Sequence, residues 1–252
     1  LIKFNKAAQG AVIKQICGCD FYVRAEEEDA PTHLITLFAQ NNAGYKNIVE
    51  LISLAYQKGQ YLGQAYVRRE WVSRHSEGVI AISGARAGDI GKALVADRID
   101  QAEALARRWM ADFPERFYIE LQRTGRDNEG IYIERAVQLA DRLELPVVAT
   151  NDVRFLDAEQ FEVHEARVCI GEGRTLDDPR RERRYSEQQY LRSAEEMAEV
   201  FSDIPEAHPA HARLLELYRA HMQATRLQAW YLPVEPSSTV GSLARSLSHC
   251  IR

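Results

Sequence analysis

The 252-residue chain is 46% hydrophobic and 27% charged, and 37 acidic against 32 basic side chains leave it a formal net charge of −5. That composition suits one large or two small α/β domains with a core of useful size. The acidic balance argues against a stand-alone nucleic-acid binder, which needs surplus Lys and Arg against phosphate. No apolar run approaches the roughly 18 residues of a membrane span, and the opening LIKFNKAAQG has no signal-peptide pattern.

In chain order, residues 12–23 (VIKQICGCDFYV) predict a strand and 33–39 (HLITLFA) another. Ile48, Leu51, Ile52, Leu54 and Ala55 then recur at helical spacing, with Asn41 or Asn42 as N-cap and Gly59 as the stop. Residues 69–75 (REWVSRH) predict a short helix. The unbroken apolar run 78–83 (GVIAIS) predicts a strand buried on both faces. After Gly84, AGDIGKALV and QAEALARRWMADF predict helices.

The alternation continues. Residues 116–122 (RFYIELQ) predict a strand with Tyr118, Glu120 and Gln122 on one side and Phe117, Ile119 and Leu121 on the other. NEGIYIERAVQLADRLEL predicts an amphipathic helix, and PVVAT a strand opened by Pro146. Helices are predicted over 159–170 (EQFEVHEARVCI) and 186–201 (SEQQYLRSAEEMAEVF), the latter started by Ser186 and Glu187. Strands separated by helical stretches imply crossover units and a mostly parallel sheet.

Four cysteines, Cys17, Cys19, Cys169 and Cys250, form neither a disulfide framework nor a repeated CxxC pattern. Cys17 and Cys19 share a sheet face and suit buried, reduced thiols. The segment 177–186 (DDPRRERRYS) carries four arginines in five positions. Asp177, Asp178 and Glu182 offset them, so a solvated loop is expected there over a phosphate contact. Beyond 207, His208, His211 and His221 lack a closed metal geometry, and the Ser- and Arg-rich end suits a disordered tail.

In parallel barrels the reacting groups stand at the carboxyl ends of strands. The residues collected on that basis are Asp20 near the end of the first strand run, His33 opening the second, Gly84-Ala85-Arg86 after 78–83, Glu120 and Gln122 closing the fourth, and Asp152 and Arg154 after PVVAT. A hydrolytic metal centre needs several Asp, Glu, His or Cys side chains converging on an open ion. Only Asp20, His33 and Asp152 qualify clearly, and Arg154 stands two residues past Asp152 where a ligand would be useful. Asp152 could also serve simply as an N-cap for the next helix.

These stretches carry a resemblance. GVIAISGARAGDIGKAL, RFYIELQRTGR, LPVVATNDVRFLDAEQFEVHEARVCIGEGRTLDD and RRYSEQQYLRSAEEMAEVFSDIPEA resemble the N-terminal PHP (polymerase and histidinol phosphatase) domain of bacterial replicative DNA polymerase III alpha subunits, nearest its proteobacterial, metal-free branch. The resemblance covers about residues 1–207, as a partial PHP domain, and leaves 208–252 as a divergent tail. It implies an α/β fold, an incomplete seven-stranded βα barrel lacking its first strand or strands. It also implies a vestigial metal site. Asp20 stands at a glutamate position, His33 matches a ligand histidine, and Ala85 stands where metal-competent members have cysteine. Asp152 matches a ligand aspartate, and Arg154 replaces a histidine.

A guanidinium cannot lose its proton to coordinate metal, but it can pair with Asp152 or Asp20 and replace the ion's charge. The resemblance therefore implies a fragment of a DNA-templated DNA polymerase in chromosome replication, cytoplasmic and without a membrane partner. This segment would stabilise the polymerase and dock the proofreading exonuclease subunit, meeting other replicase subunits and DNA through the parent chain. The segment would hold no cofactor, Mg²⁺ belonging with the catalytic aspartates of the downstream palm. Two other readings stay open: an active PHP-type metal-dependent phosphoesterase or 3'-5' exonuclease, and an unrelated soluble α/β protein. The absence of a starting methionine and the altered tail suggest a truncated or frameshifted reading frame.

Overall fold

The computed structural model describes residues 2–12, 15–24 and 31–204. They form two compact units, one of residues up to Ile82 with Arg108–Phe117, the other of Ser83–Arg107 with the chain from Tyr118 onward. The histidines and the tail expected beyond 207 lie outside the described residues.

The first unit opens with helix α1 (Ile2–Gly10), followed by strands β1 (Gly18–Val23) and β2 (His33–Ala39), helix α2 (Asn42–Lys58), the two-residue strands β3 (Gln60–Tyr61) and β4 (Gln64–Ala65), helix α3 (Arg69–Arg74) and strand β5 (Val79–Ile82). β1 pairs antiparallel with β2, and β2 antiparallel with β5. The inner face of this layer is Phe21, Val23, Ile35, Leu37 and Ala39. α2 packs on β2 and β5 through Ile48, Leu51, Ile52 and Ala55, the apolar stripe its spacing predicts. Arg69 adds an anchor: its guanidinium lies 3.6 Å from the Trp109 ring and 2.6 Å from Asp112.

α2 starts where the sequence places it. Asn41 Oδ1 accepts from the Gly44 N–H at 3.0 Å. The turn before β5 crosses at that point, so a Cβ on Gly44 would fall 1.7 Å from the Gly78 carbonyl oxygen. Gly78 itself has φ +66°, a conformation that favours glycine.

The second unit contains a 3₁₀ turn at Ala85–Ala87, helices α4 (Asp89–Val95) and α5 (Ile99–Asp112), strand β6 (Phe117–Gln122), helix α6 (Glu129–Leu143), strand β7 (Val147–Thr150), and helices α7 (Phe161–Glu172) and α8 (Ala194–Val200). The last turn of α5 belongs to the first unit. β6 and β7 run parallel, with Glu120 opposite Val148 and Gln122 opposite Thr150. Every β6 side chain is buried, as for a strand covered on both faces. α6 packs on α4, and Tyr132 of α6 donates to the Glu120 carbonyl at 2.5 Å.

The α/β class and the parallel β6–β7 pair are as expected, whereas the ladders of β1, β2 and β5 are antiparallel. Several boundaries move. The first strand begins at Gly18, not at 12: Val12 has φ +57° and ends the turn after α1. The β3–β4 hairpin, turned by Leu62 and Gly63 at positive φ, has no apolar alternation to announce it. The helix expected over 186–201 is α8 alone. Ser193 and Glu196 form its capping box, and 186–192 stays non-helical, with a turn at 187–188, because its carbonyls are bonded elsewhere. Cys19 and Cys169 are buried, and Cys17 is half-buried.

Gly44→Ala is expected to destabilise the protein by at least the roughly 1–3 kcal/mol of ordinary overpacking, because the clashing atom is backbone. Asn41→Ala is expected to cost about 1 kcal/mol. Urea unfolding monitored by far-UV circular dichroism would order the two variants.

Candidate functional site

β6 and β7 end side by side, and the polar residues that close them form one network. Thr150 donates to Glu120 Oε1 at 2.6 Å, and Gln122 Nε2 donates to the same oxygen at 3.1 Å. The chain then turns through Thr124 and Gly125 into α6. Both carboxylate oxygens of Glu129 are used there. Oε2 accepts from the Thr124 and Gly125 N–H groups at 2.7 and 2.9 Å, and Oε1 from the Thr124 hydroxyl at 2.5 Å. A carboxylate in the first turn of a helix also complements the helix dipole.

Arg126 joins the two strand ends. Its Nε donates to Thr124 Oγ1 at 2.8 Å and lies 3.3 Å from Glu129 Oε1. One terminal nitrogen reaches Gln122 Oε1 at 2.9 Å and the other Asp152 Oδ2 at 2.9 Å. Arg154 approaches Asp152 from the other side, 2.6 Å from Oδ1. Gln189, fully buried, adds a third donor to the carboxylate, reaching Oδ2 at 2.8 Å. The Asp152 carboxylate thus lies between two guanidiniums and an amide. Formal charges of Glu129 and Asp152 cancel those of Arg126 and Arg154. Arg86 stands near them: burial, with Arg126 close by, holds its guanidinium pKa below the ordinary value.

The strap 186–192 closes the network from outside. Asn151 Nδ2 donates to the carbonyls of Gln188 and Tyr190 at 2.8 and 2.7 Å, and the Arg154 N–H to Gln189 O at 2.8 Å. Ser186 donates its hydroxyl to the Thr124 carbonyl. With those carbonyls committed, a helix cannot form there. Asp152 has φ +43° and caps no helix; Asp157 takes the position before the following turn. The N-cap role open to Asp152 in the sequence is therefore corrected.

The other sequence-predicted residues are placed as follows. Ala85 is buried at φ +46°, and its carbonyl is so near α4 that a Cβ on Gly91 would lie 2.0 Å from it. Asp20 and His33 belong to the first unit. Asp20 is opposite Thr36, whose hydroxyl donates to it at 2.7 Å. His33 is three residues from Thr36 along β2, so the pleat turns it to the other face, with Ile35 and Leu37. The solvated-loop expectation for 177–186 fails at Arg181. That side chain is buried against Glu165 at 2.5 Å.

Arg126 carries no signal of a metal-ligand type at a strand end, because arginine is not one. Its local signal was Thr124-Gly125-Arg126 with Glu129 three residues on. Chemically the arrangement does not suit a divalent cation. At about 4 Å and an effective dielectric near 20, each guanidinium would repel a dication by roughly 8 kcal/mol. Both Asp152 oxygens are already taken by those guanidiniums and both Glu129 oxygens by the Thr124–Gly125 turn, and neither Ala85 nor Arg154 offers a donor pair.

Two predictions follow from this geometry. Arg126→Met leaves two buried carboxylates short of a cation and is expected to cost about 3–5 kcal/mol. Arg154→Met, at a more exposed guanidinium, is expected to cost less, and adding Asp152→Asn is expected to recover much of either loss; urea midpoints measure all four variants. The second concerns His164, packed edge-on to Tyr185 at 4.7 Å and beside Phe155 at 5.5 Å. Burial holds its pKa below the ordinary 6.5. The unfolded chain therefore binds the proton first, so stability falls as pH drops below about 6.5 and levels off below the folded pKa. His164→Phe is expected to flatten that part of a stability–pH curve.

Residues 1–124 match the family model described as the PHP domain. The chain is 56% identical over 207 residues to the DNA polymerase III subunit alpha of Pseudomonas aeruginosa, covering 82% of this chain and 18% of that protein. It is 44% identical over 243 residues to that of Escherichia coli K12 (96% and 21%) and 42% identical over 237 residues to that of Vibrio cholerae (94% and 20%). The chain thus spans about a fifth of the length of these curated relatives. Residues 1–124 belong to the PHP domain family, in a chain whose relatives are bacterial DNA polymerase III alpha subunits.

Proposed function

We propose that this chain is a front segment of a replicative DNA polymerase alpha subunit, and that its PHP domain is structural and not hydrolytic. The observation that carries the reading is the Asp152 carboxylate held between Arg126 and Arg154. In a metal-competent relative of this fold that carboxylate would face an ion; here two arginines supply the positive charge. Ala85 in place of a sulfur ligand supports the same reading.

The domain then contributes rigidity and surface to a longer polypeptide. DNA-templated DNA synthesis, with its Mg²⁺ ions, would be carried by a palm elsewhere in that polypeptide, and no cofactor is assigned to this segment. In the full protein the strands would complete a seven-stranded βα barrel with segments the relatives possess. The proofreading exonuclease subunit is the partner the resemblance implies, with other replicase subunits and DNA reached through the parent chain. The location is cytoplasmic. No described helix is long and apolar enough to cross a membrane.

Titration calorimetry with Mn²⁺ and Zn²⁺ tests the site, and the expected outcome is no stoichiometric binding. Metal-dependent hydrolysis of a phosphoester that is lost in Asp152→Asn would establish the phosphoesterase reading in its place. Co-purification of the exonuclease subunit with the parent polypeptide, undiminished in Asp152→Asn, is expected if docking is independent of the old site.

A further inference from the structure

The tip of the β3–β4 hairpin is unfavourable in two ways for the chain by itself. Its two-residue turn has positive φ at both central positions, +48° at Leu62 and +78° at Gly63. Asn, Asp or Gly ordinarily takes the first of these positions, because a bulky side chain is strained in the left-handed region. Leucine stands there, and it is 86% exposed. It gains neither the local hydrogen bond of a polar side chain nor burial. Single exposed apolar residues need no explanation; one that is also strained, on a support that holds it still, does.

That support is rings and a cation. Arg24 lies 3.7 Å from the Tyr61 ring centre and 5.8 Å from that of Tyr66, and Tyr22 packs edge-on against Tyr66 at 6.5 Å. At the hairpin base the Tyr66 N–H donates to the Gly59 carbonyl at 3.0 Å, and the Val67 N–H to the Tyr22 carbonyl at 2.9 Å. Tyr61 and Tyr22 stay partly exposed beside the tip. Exposed Tyr with Arg is the composition of an interface centre, and a tip already fixed loses little freedom on docking. Charge adds a direction. Residues 58–69 (KGQYLGQAYVRR) carry three cations and no acid, in a chain of net charge −5. Arg69 is turned to Asp112, while Lys58 and Arg68 are exposed on either side of the hairpin.

We propose that the hairpin tip docks into a separate protein, which receives Leu62 and the edge of Tyr61 in an apolar pocket rimmed by carboxylates that face Lys58 and Arg68. Burial of Leu62 there offsets the strain of its backbone, and the charged rim sets the orientation. A nucleic acid fits less well, because an apolar apex offers a phosphate nothing. None of this depends on the polymerase reading.

The test places a photo-crosslinking benzoylphenylalanine at exposed Gln64, which pairs with Tyr61 across the hairpin, in the complete polypeptide expressed in its own cells. The expected result is an adduct to one separate protein, mapped by mass spectrometry to apolar residues next to Asp or Glu. Its yield is expected to fall at least about tenfold in Leu62→Asn, and likewise in Lys58→Glu combined with Arg68→Glu. Hydrogen–deuterium exchange of the purified polypeptide gives the second readout. Leu62→Asn supplies the residue the turn favours, so exchange across residues 59–66 is expected to slow. An adduct within the same polypeptide, to a second copy or to DNA, overturns the proposal, as does no adduct or one that these substitutions leave unchanged. Unchanged or faster exchange in Leu62→Asn overturns it as well, because the leucine would then carry no strain for docking to offset.

Discussion

The Arg126 guanidinium holds the ends of two strands, the start of a helix and a loop carboxylate in one arrangement. It donates to Gln122, Thr124 and Asp152 and sits against Glu129, while only 15% of its side chain is exposed. A cation that buried is tolerable because each of its three nitrogens meets an acceptor. Reciprocally, Glu129 and Asp152 would be costly there without it. This mutual dependence fixes the turn from β6 into α6, because Glu129 can reach the Thr124 and Gly125 amides only if α6 begins where it does. The strap 186–192 depends on it in turn, through Gln189 on Asp152 and Asn151 on the strap carbonyls.

The first unit is held by a different constraint, close backbone approach. Gly44 meets the Gly78 carbonyl where no Cβ fits, and a Cβ on Gly59 would lie 2.0 Å from the Tyr66 carbonyl. These contacts let α2 lie on β2 and β5 with its apolar stripe fully engaged. Two guanidiniums here also stack on rings: Arg24 lies 3.7 Å from the Tyr61 ring centre and Arg69 3.6 Å from that of Trp109. One unit thus relies on packing at glycines and rings, and the other on an extended hydrogen-bond network.

What was legible in the sequence was local. Asn41 before a helical stripe, the unbroken apolar run into β5, and the buried β6 and β7 carry their own signals, and each element forms within a residue or two of its expected bounds. The elements that escaped depend on partners far away in the chain. Residues 186–192 have helix-tolerant composition, yet Asn151 and Arg154 take the hydrogen bonds a helix would need, some 35 residues distant. The inward turn of Arg181 needs Glu165, and nothing in a run of four arginines says which will be buried. At the site, Asp152 and Arg154 were legible from their place after a strand, and so was their pairing. Arg126 was not, because its role appears only when β6 and β7 stand side by side.

That pairing bears on the proposed replacement of a metal site by arginine. Exchanging one ligand for arginine would leave a bulky cation at the edge of an acidic pocket, stable only if its carboxylate has no competing need for an ion. Asp152 satisfies that condition through geometry: its two oxygens point at different guanidiniums, so neither arginine has to neutralise it alone. The positive φ of Asp152, unusual for a residue with a side chain, aims the carboxylate between them. The strain is offset by three donors, Arg126, Arg154 and Gln189, the first and last themselves fixed by further hydrogen bonds and Arg154 stacked near Tyr185. Under the proposed structural reading, a site so occupied gives closure in place of the open coordination position that hydrolysis requires. The same arginines that stabilise the fold are therefore what would keep an ion out.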